Sequence, residues 1–80
     1  MDNNMPVFVI TEDVDSDCVK IIGVATGRAE AHRMIREYYG NCREVAYQDV
    51  RDSGIDFIQT IQVGQYTYRI VVQDFVLNTL

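Results

Sequence analysis

Two alternating apolar segments meet at a two-residue loop near the end of the chain, and this hairpin constrains the fold most. Residues 55–63 and 66–72 flank Gly64-Gln65, and glycine in the first loop position is typical of a type II′ turn. The turn sets the register, in which Val63 lies opposite Tyr66. The same register pairs Ile61 with Tyr68, Gln59 with Ile70 and Phe57 with Val72.

This register can be checked against the pattern of side chains. One face of the hairpin becomes almost wholly apolar, with Phe57, Ile61, Val63, Tyr66, Tyr68, Ile70 and Val72. The other face is mixed, with Ile58, Thr60, Gln62, Thr67, Arg69 and Val71. A sheet that is covered on one side has this asymmetry. The sequence therefore predicts an antiparallel sheet with one covered face.

A single helix is predicted from about residue 27 to 39. Its apolar positions repeat at the helical period: Ala31, Met34, Ile35 and Tyr38. Thr26 is a suitable N-cap that accepts backbone hydrogen bonds, and Gly40 provides a left-handed stop. The apolar stripe is expected to bury against the sheet face that carries Ile61, Tyr68 and Ile70.

A first hairpin precedes the helix. Residues 7–11 and 18–25 are predicted strands, and the acidic segment 12–17 is the predicted connection between them. Gly23 suggests a bulge or bend. Both faces of the hairpin are apolar, with Val7, Val9, Val19 and Ile21 on one and Phe8, Ile10, Ile22 and Val24 on the other.

The fold class that follows is α+β, a single domain over 1–80. We predict an antiparallel sheet of four strands in β-β-α-β-β order, with one helix packed on one face. A fifth strand stays open, because 41–52 alternates only weakly and fits a short edge strand or a loop. The tail 73–80 either continues the last strand past a bulge or packs as a separate apolar segment.

Charge and composition narrow the class of partner. The chain of 80 residues has 12 acidic and 7 basic residues, a net charge of −5, which disfavours nucleic acid as a partner. No signal-like segment or membrane-spanning stretch is evident, and Cys18 and Cys42 lack the spacing of a zinc site or disulfide framework. We therefore expect a cytoplasmic protein with reduced cysteines, no membrane association and no cofactor.

No residue set forms a catalytic or metal signature. Asp13, Asp15 and Asp17 alternate as in a calcium loop, but Cys18 and Val24 occupy the positions of its glycine and bidentate glutamate. Cys42 beside Arg43 lacks a neighbouring histidine base. We predict no catalytic, cofactor-binding or metal-binding residue.

Two groups of residues are candidates for an interaction surface. Arg28, His32 and Arg36 follow one flank of the helix and form either a docking stripe for an anionic partner or an ordinary solvated face. The apolar tail residues have no evident place in the core: Phe75, Val76, Leu77 and Leu80.

The segment from Val7 to Tyr39 resembles a pattern of small uncharacterised bacterial and phage proteins. In that pattern a strand and an acidic loop precede "K-x-I-G-V" and a Ser/Thr-capped helix with "E-A". The matching residues here are Lys20, Ile22, Gly23, Val24, Thr26, Glu30 and Ala31. Gly27 departs from the polar residue usual after the cap. The resemblance implies the fold, and it implies no activity.

The function predicted from these features is a non-enzymatic protein-interaction or accessory module that forms a homodimer. Exposed apolar area on the first hairpin and the tail favours self-association. The alternative is an acidic inhibitor, encoded by a phage or mobile element, that blocks a basic site on a host defence protein. An enzyme is disfavoured because acid–base and nucleophilic residues do not cluster.

Overall fold

A computed structural model describes residues 4–15 and 18–78 of the chain, and it describes side chains for 5–13 and 18–76. Its elements, in chain order, are β1 (Asn4–Asp15), β2 (Cys18–Ala25), α1 (Arg28–Tyr39), β3 (Arg43–Asp52), β4 (Ile55–Val63) and β5 (Tyr66–Asn78).

The strands form one antiparallel sheet in the order β2-β1-β5-β4-β3. The α+β class, the antiparallel sheet and the single helix are confirmed. The predicted order β-β-α-β-β with four strands is not matched exactly, because the fifth strand that the sequence left open is present as the ten-residue strand 43–52, and the element order is β-β-α-β-β-β. Pairing with β4 keeps this polar segment extended despite its weak alternation.

The register predicted for the last hairpin is confirmed. Val63 pairs with Tyr66 and Phe57 with Val72, and the two pairs between them also match. Gly64 has a φ of 61°, which suits the first loop position of a type II′ turn. Beyond residue 72, β5 continues without a bulge and pairs with β1 as far as Asn78, opposite Asn4. Of the two alternatives for the tail, the structure therefore agrees with continuation of the last strand, although β5 continues without the expected bulge.

The first hairpin is longer than predicted. β1 extends through Asp15, so most of the expected acidic loop is strand, and residues 16 and 17 lie outside the described part. A bulge at Ile22 shifts the register, as Gly23 had suggested. Because the bulge reverses the alternation beyond it, Val24 pairs with Val9 and shares its face, which corrects the predicted position of Val24.

The helix packs on one face of the sheet through fewer residues than its periodicity predicts. Ala31 and Ile35 are buried, whereas Met34 is half-buried and Tyr38 is 46% exposed, beside Lys20. Tyr39 turns inward instead and packs against the core. The core between α1 and the sheet contains Ile10, Ala25, Ala31, Ile35, Phe57, Ile61, Ile70 and Val72.

The start of the helix differs from the prediction. Gly27 occupies the N-cap position, and it has no side chain to accept a hydrogen bond. Thr26 acts as a donor, because its hydroxyl lies 2.7 Å from Glu30 Oε2 and its amide 3.3 Å from the same oxygen. These bonds from Thr26 lower the pKa of Glu30. The N-cap prediction for Thr26 is therefore wrong by one position.

No described helix is both long and apolar enough to cross a membrane.

Candidate interaction surface

The sheet face turned away from α1 carries a set of apolar side chains together with polar ones such as Thr11, Arg69 and Gln73. Because side chains alternate along a strand, the register assigns these apolar residues to this face: Val7, Val9, Val19, Ile21, Val24, Ile55, Ile58, Val71 and Phe75. Among the described residues, no helix or strand packs on it. We call this surface the open face.

Several side chains of the open face project far into solvent. On β2, Val19 is 63%, Ile21 66% and Val24 54% exposed, and on β5, Phe75 is 49% exposed. Single exposed apolar residues are ordinary on a protein surface, but a contiguous set of them usually marks an interface. The open face is therefore the strongest candidate for a contact with another protein.

A groove of about 310 Å³ crosses the open face. Its lining residues come from four strands: Thr11, Asp13, Val19, Ile55, Ile58, Arg69, Val71 and Gln73. Three of them form one row across the sheet, because Val71 pairs with Thr11 on one side and with Ile58 on the other. The groove is thus mostly apolar, with its polar residues set among β-branched side chains.

Three of the polar groups in the groove already have partners within the chain. The hydroxyl of Thr11 donates a hydrogen bond to the carbonyl of Val71 at 2.8 Å. The guanidinium of Arg69 donates to Asp13 at 2.7 Å across β1 and β5. An apolar partner can cover Thr11 without breaking its hydrogen bond. Covering Arg69 and Asp13 also removes two charges from water, a cost that their salt bridge offsets only in part.

The basic flank of α1 is not a row of free cations. Arg28 forms salt bridges with Asp49 on β3 and with Asp56 on β4, the latter at 2.8 Å, and it lies over the ring of Phe57. Its hydrogen bond lowers the pKa of Asp49. Asp56 is buried, so Arg28 is the cation that compensates its charge. Arg28 therefore stabilises the contact between α1 and the sheet.

His32 also faces the sheet. Its ring stacks on Phe57, with centroids 4.4 Å apart and planes at 13°, and Tyr47 lies beyond at 5.7 Å. Burial and the neighbouring Arg28 and Arg36 lower the pKa of His32. Arg36 is exposed. Of the three residues in the predicted stripe, two thus contact β3 and β4, and the third faces solvent.

The stacked position of His32 predicts a pH dependence of stability. The pKa of His32 is lower in the folded chain than the ordinary value of 6.5, so the unfolded chain binds the proton more tightly. This contribution to the free energy of unfolding is complete above pH 6.5 and decreases as the pH falls toward the folded-state pKa. Urea unfolding at pH 7.5 and 5.5 measures it, with His32→Phe as the control that keeps the ring. An unchanged pH dependence in His32→Phe contradicts the prediction.

The tail residues occupy both faces of β5. Phe75 lies opposite Val7 on the open face, and Val76 is exposed on the face that carries α1. Leu77 pairs with Met5 through its backbone, while its side chain and the whole of Leu80 lie outside the described residues. Of these residues, the structure brings Phe75 to the edge of the apolar surface.

The sequence interpretation missed a partly buried polar pair. Glu12 is buried and accepts a hydrogen bond of 2.6 Å from the hydroxyl of Tyr39. Burial and this bond raise the pKa of Tyr39. The alternation of β1 could have predicted the position of Glu12, because a strand that continues past Thr11 puts Glu12 on the same face as Ile10. The pair fixes the last turn of α1 to β1.

The cysteines and acidic residues have no shared site. Cys18 is exposed and Cys42 is half-buried, and the two are not bonded to each other. A second, shallower groove contains Cys42 with Asn41, Arg43, Gln62 and Gly64, and His32 does not line it. Within the described part of the chain, His, Cys, Asp and Glu side chains form no group of three or more that could hold a metal ion.

Comparison with known proteins identifies no relative: no family model, curated protein or solved structure matches the chain.

Proposed function

We propose that the protein is a non-enzymatic interaction module that acts as a homodimer, with the open face as its contact surface. The observation that carries this proposal is the set of apolar side chains on the sheet face opposite α1, including Ile21 at 66% and Phe75 at 49% exposure. A two-layer domain buries one face of its sheet under the helix, and exposed apolar side chains on the second face favour a further layer there.

The open face is large enough for a contact between two protomers. The four strands that carry its apolar residues, about 4.8 Å apart, give a width of about 19 Å, and eight residues at about 3.4 Å give a length of about 27 Å. The projected area is then about 520 Å², about two thirds of the roughly 800 Å² per partner of standard interfaces. Stacking two such faces forms a β-sandwich, in which each sheet supplies the missing layer of the other.

The β3 edge of the sheet is less suited to self-association. β3 has register irregularities near both ends, and Arg51 and Ser53 have positive φ values of 49° and 56°. Charged side chains at Arg43, Glu44 and Asp49 line the same strand. Bulges and charges of this kind prevent edge-to-edge pairing. The open face is therefore the surface on which the proposal rests.

Sedimentation equilibrium over a wide concentration range tests the homodimer. We expect the full chain to approach twice the monomer mass of 9.2 kDa, and Ile21→Glu to remain monomeric because it puts a charge into the apolar contact. Val76→Glu is the matched control, since Val76 is also β-branched and 62% exposed but lies on the other face. A chain that stays at monomer mass at high concentration overturns the proposal, as does equal dissociation by both variants.

The second candidate is the acidic inhibitor of a basic site on another protein, which the net charge of −5 favours. This role needs exposed carboxylates and does not require a dimer. Its association with a basic target weakens steeply as salt is raised, whereas apolar self-association is retained or strengthened. A monomeric chain in the sedimentation experiment would leave this candidate in place of the first.

A further inference from the structure

The open face has a protruding side chain and a recess on the same strand. Phe75 projects from β5 near one end of the open face. Four residues earlier on β5, Val71 lies in the groove between Thr11 and Ile58. Gln73 lies midway between Phe75 and Val71 and also lines the groove. The protruding Phe75 and the recess at Val71 thus lie at equal distances on either side of Gln73.

This arrangement suits a two-fold axis. An axis that lies in the interface, crosses the strands and passes through the row of Gln73 exchanges the positions of residues 71 and 75. Phe75 of each protomer then lies directly opposite Val71 of its partner. Within one strand, residues 71 and 75 are about 14 Å apart at 3.4 Å per residue. A self-complementary contact of this kind is the rule for two-fold dimers. Resting on the proposed homodimer, we infer that Phe75 of each copy fills the groove floored by Thr11, Val71 and Ile58 of the other.

The groove has room for the ring. Its volume is about 310 Å³. A dry apolar cavity of about 150 Å³ is known to accept benzene, so a phenyl group fits with space for neighbouring side chains. The three floor residues present aliphatic groups, since Thr11 turns its hydroxyl to the carbonyl of Val71. Aromatic side chains in such recesses supply a large share of interface energy.

The residues that lie on the two-fold axis can also pack against the same residues of the partner. Val9 and Ile55 pair with Gln73 on the two sides of β5, and each meets its equivalent across the axis. The Gln73 side chain carries both a donor and an acceptor, so two copies can bond to each other through their amides. The polar residue at the centre of the contact therefore gains a partner when it is covered, which limits its desolvation cost.

Alanine substitution measures the role of the ring. We expect Phe75→Ala to raise the dimer dissociation constant at least tenfold, because it removes the knob from both halves of the contact. Val76→Ala is the matched control on the next residue of the same strand, exposed on the other face, and we expect its dissociation constant to stay within about twofold. Circular dichroism of both variants confirms that the sheet is retained.

Cross-linking tests the position of the axis. Stacked sheets lie about 10 Å apart, beyond the reach of a disulfide, so a bis-maleimide spanning about 10 Å is the probe. In a chain with Cys18→Ser and Cys42→Ser, we expect Gln73→Cys to give a covalent dimer in high yield. Gln62→Cys is the control, because Gln62 lies on the same face beside Thr67, six residues along β5 from Gln73. That offset separates its two copies by about 40 Å at 3.4 Å per residue.

The outcomes separate this inference from the proposal on which it depends. A dimer that forms normally with Phe75→Ala, or that cross-links through Gln62→Cys and not Gln73→Cys, overturns the docking geometry and leaves the homodimer. A monomer at all concentrations overturns both. A dimer that weakens with Phe75→Ala and cross-links through Gln73→Cys supports both.

Discussion

Replacement of Ile35 by aspartate is expected to unfold the domain. Ile35 is 1% exposed and lies in the core between α1 and the sheet. The described core residues that surround this position are apolar, so a carboxylate here lacks a compensating cation, and burying an unpaired charge costs several kcal/mol. The whole free energy of unfolding of a chain this short is on the order of 4–12 kcal/mol. Loss of cooperative thermal melting, followed by circular dichroism, is the expected result.

The adjacent residue provides the control. Arg36 is exposed on the solvent side of α1, so Arg36→Asp adds the same side chain one position further along the helix, in solvent. We expect this variant to lose less than about 1 kcal/mol, mainly through the unfavourable charge near the helix C-terminus. If Ile35→Asp melts cooperatively at the temperature of Arg36→Asp, the packing of α1 on the sheet through Ile35 is wrong.

Patterns within a few consecutive residues predicted the turn, the register of the last hairpin and part of the helix core. The turn at Gly64-Gln65 sets the register of β4 and β5, and the alternation along both strands supports it, so that pairing could be read from the sequence. The core positions Ala31 and Ile35 followed from the helical period. In contrast, β3 carries alternating charges and polar residues that are compatible with a loop, and only its pairing with β4 makes it a strand.

The candidate surface was predictable in part. Apolar residues on both faces of the first hairpin indicate an uncovered surface, because a single short helix covers only one side of a sheet. The groove was not predictable, because its row joins Thr11 to Val71 through the pairing of β1 with β5, sixty positions apart. Sequence patterns do not determine which strands of distant segments are neighbours. The position of Phe75 on the open face depends on the same pairing.

The basic flank of α1 shows a second limit of prediction from the sequence. The spacing of Arg28 and His32 is correct for one side of a helix, but a helix flank that overhangs a sheet is not a free surface. Whether it meets solvent or strands depends on the width of the sheet beside it. Here β3, which the sequence left open as a strand or a loop, brings Asp49 and Tyr47 to that flank, and they contact Arg28 and His32.

Phe57→Ala is expected to destabilise the domain by about 3–5 kcal/mol, the usual cost of removing a buried phenyl ring. Phe57 is fully buried in the core, and its ring also supports His32 at 4.4 Å and Tyr47 at 5.3 Å. Removal therefore leaves a cavity and also releases the stack that joins α1 to β3 and β4. Urea unfolding with linear extrapolation measures the loss.

Two comparison variants separate the cavity from the stack. Phe57→Leu keeps most of the apolar volume but removes the aromatic stacking, so we expect it to cost well under half as much as Phe57→Ala. Tyr47→Ala removes the outer ring of the stack, which is 39% exposed, and we expect a loss of about 1 kcal/mol or less. If Tyr47→Ala costs as much as Phe57→Ala, the contact of α1 with β3 depends on the exposed ring, and Phe57 is not the residue that holds the layers together.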